Sequence, residues 1–442
     1  MVGLLLIVYS VIAFDRQTPF PGFYALLPTV GAALIILFAT HRTYVGQLLG
    51  SKIFVGIGLI SYSAYLWHQP LFAFAKYRSL KEPDSLLMLG LSFASIFLAY
   101  LTWKYIETPC RNRESFNRRQ VFVMSLCGTL LFSLGGLLGN QSDGLKNRLS
   151  QAQRNVIDIA ESHAKMWETG GCDVKGGESE IKGCIRGDKS KQPQYAIWGD
   201  SYASALVWEL EKSFASGGKS FFQYTKYRCP ASVDVKILPP EGCEQYAQKV
   251  LADIYLKNIS TVIVSSFWQF YVEGDDFDNG EGGRGARQIQ AAALKDSFSL
   301  PQDVRKDNIL RAYQKTVSDL LSKGKTVVLI YPIPEVGFDV PIFYAKSLGF
   351  GDANFSKDIS TKFERVIDRN RNVNVAFDEL GEHQNLIRIR PEKVLCDTTI
   401  KGRCAVQLDG KQLYFDGNHL SNDGARLVID EVMKAIERSQ VH

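Results

Sequence analysis

The sequence predicts transmembrane α-helices followed by a three-layer α/β domain of the flavodoxin-like kind, built on a parallel sheet. Three observations carry this expectation. Hydrophobic residues make up 46% of the 442, an ordinary share, but the long apolar runs are confined to residues 1–140. From Tyr195 onward, short apolar segments alternate with amphipathic ones, strand then helix. Six of the eight cysteines fall within residues 141–442 at short intervals, a pattern that belongs to an oxidising compartment.

Val2–Phe14, Gly22–Thr40, Phe54–Lys76, Ser85–Tyr105 and Val121–Gly139 are the candidate spans. A helix needs about 20 apolar residues to cross the hydrocarbon core. The first run is short and begins abruptly at Met1 without a basic leader. No small-residue cleavage pattern precedes Asp15–Thr18, so a helix cut by truncation is expected rather than a signal peptide. Arg111, Arg113, Arg118 and Arg119 crowd one short loop, which is expected on the cytoplasmic side. Val121–Gly139 then leads outward and leaves the rest of the chain outside the cytoplasm, the side the cysteines also ask for. Lys76, Arg78 and Lys81 run against this orientation, softened by Glu82 and Asp84. His68, an ionisable group in a span, is read as a hydrogen-bonded packing residue, and Glu107 as an interfacial ion pair with Arg111 or Arg113.

After Gly139 a polar stretch reaches Gln194. It holds an expected helix, Leu145–Trp167, and a Gly/Lys-rich loop around Cys172 and Cys184. Expected strands are Tyr195–Trp198, Phe221–Lys226, Thr261–Phe267, Thr326–Tyr331 and Asn374–Phe377. They are short, apolar and β-branched or aromatic, as buried parallel strands are. Expected helices are Tyr202–Ala215, Cys243–Asn258, Lys306–Lys323, Ser356–Asn370 and Asp423–Arg438. Three local disulfides are expected, Cys172 with Cys184, Cys229 with Cys243 and Cys396 with Cys404. Other pairings satisfy the same count. Zinc is the competing use, but no CxxC is present and no His lies nearby to complete a site.

Sites in such sheets lie at the carboxyl ends of strands, and Gly199-Asp200-Ser201 falls there. A tight turn lifts a serine hydroxyl off the sheet, and the N–H groups of the helix start can stabilise an oxyanion. Asp200 or Ser201 could equally serve as an ordinary N-cap. A second motif, Asp416-Gly417-Asn418-His419-Leu420-Ser421, precedes the last helix. There a carboxylate three residues before an imidazole can hold the ring in one tautomer while its other nitrogen takes the serine proton. Ser201, His419 and Asp416 are therefore the expected nucleophile, base and orienting acid.

Gly-Asp-Ser early and Asp-x-x-His late resemble the SGNH (GDSL-like) hydrolase family over residues 195–438. That family also uses a Gly and an Asn on middle loops as oxyanion donors. Here the third strand is followed by Ser265-Ser266-Phe267-Trp268-Gln269, so the Ser201 N–H is the expected donor, with Gln269 standing in for the Asn. In the first half, Ile60-Ser61-Tyr62-Ser63-Ala64-Tyr65-Leu66-Trp67-His68-Gln69-Pro70 resembles the "SYSLYLWHxP" signature of the membrane acyltransferase-3 family. Tyr105-Ile106-Glu107-Thr108-Pro109-Cys110-Arg111 resembles that family's closing "IExPxR" motif. The match covers only the last helices of a fold with about ten spans of roughly 20 residues; the early helices that carry that family's catalytic His and Arg have no counterpart here.

The combined resemblance is to bacterial O-acetyltransferases of surface polysaccharides such as lipopolysaccharide O-antigen. It implies residues 1–110 as a partial acyltransferase-3 domain and 111–140 as a cytoplasmic linker with one further transmembrane helix. Residues 141–194 follow as a periplasmic extension, and 195–442 as the SGNH domain. It implies O-acyl transfer through an acyl-serine, with a membrane-anchored esterase or a non-catalytic membrane partner as alternatives. It further implies acetyl-CoA as ultimate donor, a polysaccharide acceptor, the inner membrane as location, and a separate chain supplying missing helices. No bound cofactor or metal is expected. The net charge of +5 comes without a basic stripe interleaved with aromatics, which argues against nucleic acid. Trp198, Trp208, Trp268 and several tyrosines could line a sugar-binding cleft or lie in the core, the commoner place for such residues; Trp268, beside the expected site, is the candidate sugar-stacking residue. Gly274–Arg287 lacks EF-hand spacing and is expected as a surface loop. His163, His383 and His442 have no expected partner.

Overall fold

The structure is a computed structural model that describes residues 1–15, 18, 22–79, 83–111, 116–158, 161, 171–174, 180–238, 242–281, 283, 289–293, 298–350 and 360–440. Arg113, Lys81, Glu82, His163 and His442 lie outside the described residues. So do the end of the expected Leu145–Trp167 helix, the start of Ser356–Asn370 and most of 282–287. The chain divides into two compact units, one over Met1–Ser79 and Pro83–Gln141, the other running from Ser142 to the C-terminus.

In the first unit every expected span is helical, but among the described residues only two helices, Ser85–Arg111 and Arg118–Gln141, are long and apolar enough to cross a membrane. Val2–Ala13 and Phe23–Phe38 are shorter apolar helices. The first two helices meet at glycines: a Cβ on Gly3 would sit 2.6 Å from the Gly31 carbonyl oxygen, the close approach that small residues permit. Lys52–Arg78 has the length to span but carries Ser61, Ser63, His68, Gln69 and Lys76, which lower its hydropathy. Ser63 and His68 are tied down, and so is the neighbouring Trp67. Ser63 donates to Glu107 Oε2 (2.9 Å), Trp67 Nε1 to Thr102 Oγ1 (2.8 Å), and His68 Nδ1 lies 3.2 Å from the Ala64 carbonyl. Glu107 also pairs with Arg111 at 2.6 Å, the ion pair expected there.

The second unit is an α/β domain. Its six-stranded sheet runs β1 (Cys184–Gly187), β3 (Ser220–Thr225), β2 (Tyr195–Gly199), β5 (Thr261–Ser265), β7 (Thr326–Ile330), β9 (Leu386–Ile389) in space. All neighbours are parallel except β1 with β3. The sheet is thus mixed, not purely parallel: the 141–194 extension supplies its antiparallel edge. β4 (Val235–Leu238) pairs separately with β6 (Gln290–Ala293), and β8 (Ser360–Lys362) with Arg403–Ala405. β2 to β3 steps one way across the sheet and β3 to β5 steps back over it, so the chain reverses at β2. With right-handed crossovers, the helix Ser201–Ser216 covers one face and Cys243–Leu256, Gln302–Ser322 and Phe363–Asp378 the other. The last helix, Asn422–Gln440, returns to pack on Ser201–Ser216.

Four expected strands form within a residue or two of their expected ends. The fifth does not: Asn374–Phe377 lies inside the helix Phe363–Asp378. Its buried residues Val366, Asn370, Val373, Ala376 and Phe377 recur at helical spacing, and that amphipathic face overrides the strand propensity of a Val-rich run. The true edge strand is Leu386–Ile389. The three expected disulfides form, with Cα separations of 5.8, 5.2 and 3.8 Å, which removes these thiols as zinc ligands.

Candidate active site

The last residue of β2 is Gly199, and the neighbouring strand β5 leaves no room there for a side chain. A Cβ there would meet the Ser265 carbonyl oxygen at 1.7 Å and Ala203 Cβ at 2.8 Å. Gly199→Ala is expected to destabilise the domain by about 2–3 kcal/mol through overpacking, read as a lowered denaturant midpoint; an unchanged midpoint would contradict this packing. Asp200 is the N-cap: its Oδ1 accepts from Tyr202 N at 2.8 Å. Because Asp200 takes that duty, the Ser201 hydroxyl is left for other work. Ser201 opens the helix, where its own N–H has no intrahelical acceptor.

Across the sheet edge, residues 414–420 form a tight loop closed by Phe415 N to His419 O (3.1 Å) and the Tyr414–Leu420 bridge. Asp416 Oδ1 accepts from the N–H groups of Asn418 (2.8 Å) and His419 (2.7 Å), while Oδ2 lies 2.6 Å from His419 Nδ1. His419 Nε2 lies 2.9 Å from Ser201 Oγ. The segment after β7 cradles this loop, Val336 N donating to Gly417 O and Val340 N to Asp416 O, both at 3.3 Å. The imidazole is 6% exposed, stacked on Phe415 and edged by Tyr202. Burial works to raise the Asp416 carboxyl, but His419 and the two backbone amides outweigh it and hold it below the usual carboxylate range. The carboxylate therefore stays charged and fixes the ring with Nδ1 protonated and Nε2 free to accept from the serine. The arrangement can deprotonate Ser201 as its oxygen attacks an acyl carbon, then return the proton to a leaving group.

Beneath the serine, Asp200 Oδ2 accepts from Phe267 N (2.9 Å) and Tyr271 OH (2.6 Å), fully buried. Burial pushes this carboxyl up to about 6 from an ordinary 3.8, against hydrogen bonds that favour its charged form. A folded value above the unfolded one means stability that is complete below the unfolded value and lost as pH rises through the folded one. The stability advantage of the wild type over Asp200→Asn is expected to shrink as pH rises from about 4 to about 6, measured by thermal unfolding. A gap independent of pH would refute it.

Two expectations are corrected here. Gln269 is fully buried, and its amide nitrogen donates to the Ile333 carbonyl (3.2 Å) and to Glu335 Oε2 (3.3 Å). Both N–H protons are taken inside the protein, so Gln269 braces the post-β7 segment instead of serving an oxyanion, and the Ser201 N–H remains the donor the helix start offers. Trp268 is 1% exposed, donates to the Ile330 carbonyl (3.0 Å) and packs on Tyr313 and Phe377. It is core, not a sugar platform. Trp198 is likewise fully buried, and Trp208 is 43% exposed on the serine helix with Lys212 over its ring. Asp200, one of the two N-caps expected, is the cap in the structure, and nothing in the sequence spacing joins it to Tyr271. Among the described residues no three His, Cys, Asp or Glu side chains gather to hold a metal ion.

Fold and site together define a Ser–His–Asp domain on a doubly wound α/β sheet. The family model of the SGNH domain (fused to AT3 domains) matches residues 171–434, more than half of the chain, and the chain belongs to that family. Two Staphylococcus aureus proteins, from strains COL and MRSA252, bear the name "Putative O-acetyltransferase". They are 26% and 25% identical over 137 and 124 residues, covering 29% and 27% of this chain and 22% and 20% of theirs. The chain thus spans about a fifth of the length of these curated relatives. The lipopolysaccharide acetyltransferase periplasmic domain of Salmonella ser. Paratyphi A is similar over 64% of this chain and 96% of its own, at 13% identity and a TM-score of 0.41. A GDSL-like lipase from Bacteroides thetaiotaomicron covers 56% and 92%, at 11% identity and a TM-score of 0.32.

Proposed function

We propose that the chain is a membrane-bound O-acyltransferase that acetylates a cell-surface polysaccharide, such as lipopolysaccharide O-antigen, through an acyl-Ser201 intermediate. One observation carries the proposal: Ser201 Oγ and His419 Nε2 lie 2.9 Å apart with Asp416 2.6 Å behind the ring. The name borne by the relatives favours transfer of acetyl, and the two apolar helices favour a membrane location. In this reading the SGNH domain faces the periplasm of a bacterial inner membrane, where its disulfides persist.

The chemistry proceeds in two halves. Ser201 Oγ attacks the acetyl carbonyl as its proton passes to His419, and the tetrahedral oxyanion is met by the Ser201 N–H. The donor's leaving group departs with that proton. A sugar hydroxyl then loses its proton to His419 and attacks the acyl-serine, releasing the acetylated sugar and restoring Ser201. Acetyl-CoA is the ultimate donor in this reading, and its acetyl group has to cross the membrane before it reaches Ser201.

The alternative is an esterase using the same residues with water as acceptor. Full-length protein in detergent, given an activated acetyl ester with and without polysaccharide, separates them. Acetylated polysaccharide supports transfer; free acetate alone, at a rate indifferent to polysaccharide, supports hydrolysis.

A further inference from the structure

We propose that Asp173 is a positioning residue for Ser201, held in place by the Cys172–Cys184 disulfide; this rests on the proposed role of Ser201. The argument starts beside the serine turn. Cys172 is bonded to Cys184 on the edge strand β1, which ties a short strap to the sheet. Val174 in that strap lies along the end of β3: its N–H donates to the Thr225 carbonyl, its carbonyl accepts from Tyr227 N, both within 3.1 Å, and it bridges Lys226. Lys226 N in turn donates to the Gly199 carbonyl, one residue before Asp200-Ser201. The strap therefore extends the sheet edge next to the serine turn.

Asp173 uses this placement. A single carboxylate oxygen, Oδ1, accepts from Ser204 Oγ at 2.8 Å and Thr225 Oγ1 at 2.5 Å. Ser204 sits three residues after Ser201, on the same side of the helix one turn on. Thr225 is the last residue of β3, directly opposite Gly199. One oxygen thus pins the serine helix to the neighbouring strand end. Thr225 Oγ1 also accepts from Gln223 Nε2 (2.8 Å). Gln223 Oε1 accepts from Arg186 Nε (3.0 Å), and Arg186 reaches Glu211 further along the serine helix (3.3 Å). The helix is held at two points seven residues apart, Ser204 and Glu211, both reached through the disulfide-tied edge. Ser201 has to stay within hydrogen-bond reach of an imidazole fixed on a different loop, and a shift of about 1 Å in such a pair costs about a hundredfold in rate.

The test uses full-length protein in detergent, with the fraction of reactive Ser201 titrated by a fluorophosphonate probe. Asp173→Ala and the paired Cys172→Ser/Cys184→Ser variant are each expected to lower both kcat per titrated site and the fluorophosphonate rate constant by about ten- to a hundredfold. Combining them should add little, since they act on one strap. Asp173→Asn, which keeps an acceptor oxygen, should recover much of the rate. A merely structural strap would lower the unfolding temperature and the titrated fraction while leaving kcat per site and the probe rate within about twofold; that result overturns the proposal. Should Asp173→Ala fail to fold, Ser204→Ala removes only the helix-side hydroxyl and must show the same rate loss. Failure of the wild type to react with the probe would instead count against the role of Ser201 itself.

Discussion

Replacing Ser201 with alanine is expected to lower acetyl transfer and ester hydrolysis by about 10⁴- to 10⁶-fold, the loss seen when the nucleophile is removed from a unit of this kind. The expectation is local. The Ser201 hydroxyl meets His419 Nε2 at 2.9 Å, while the turn and helix start are held by Asp200, Gly199 and the helix itself. Thermal unfolding should therefore hardly move. A variant that keeps full activity would remove Ser201 from the reaction; one that unfolds would mean that the hydroxyl has a structural duty the geometry does not show.

The second large effect belongs to Asp416→Asn. Asp416 Oδ1 holds the loop through two backbone amides, and a carboxamide oxygen keeps that part. Oδ2 is the oxygen that faces His419 Nδ1. An NH2 group there donates where the carboxylate accepted, so Nδ1 must give up its proton and Nε2 must carry it, toward Ser201. The ring is then in the wrong tautomer to take the serine proton, and a loss of about 10⁴-fold in kcat follows. Kinetics at neutral pH with an activated acetyl ester would check it, with a fall of less than about tenfold placing the orienting role elsewhere. Because His419 and the loop amides keep the Asp416 carboxyl below the usual carboxylate range, its titration is not expected to shape the rate near neutral pH.

Much of this site is legible in the sequence. Gly199-Asp200-Ser201 follows an apolar strand and precedes a helix, and Asp416 and His419 sit just before the last one. Chain reversal at β2 then brings the two loops to one sheet edge. What failed was side-chain direction. Trp268 and Gln269 stand where the sequence order promised a site, but the short helix Trp268–Glu273 turns both into the core, against Ile330, Ile333 and Glu335. No local pattern encodes that turn. Leu386–Ile389 was hidden because it is four residues long and Arg388 interrupts its apolar run, whereas the run ending at Phe377 looked strand-like though its buried positions were helical. The edge strand Cys184–Gly187 has only one strongly apolar residue beyond its cysteine, Ile185, and became a strand through pairing with β3 and the bond to Cys172. Asp173, Asp200 and Tyr271 act through partners 31 to 71 residues away, distances at which sequence spacing says nothing.

The most direct test of the account is to trap the acyl-enzyme. Full-length protein is mixed with an activated acetyl ester, quenched in acid and digested, and the peptide carrying Ser201 is weighed by mass spectrometry. The account predicts that this peptide gains one hydroxylamine-sensitive acetyl group in the wild type and none in Ser201→Ala. Steady turnover with Ser201 never acetylated, or with the acetyl group on another residue, would contradict it.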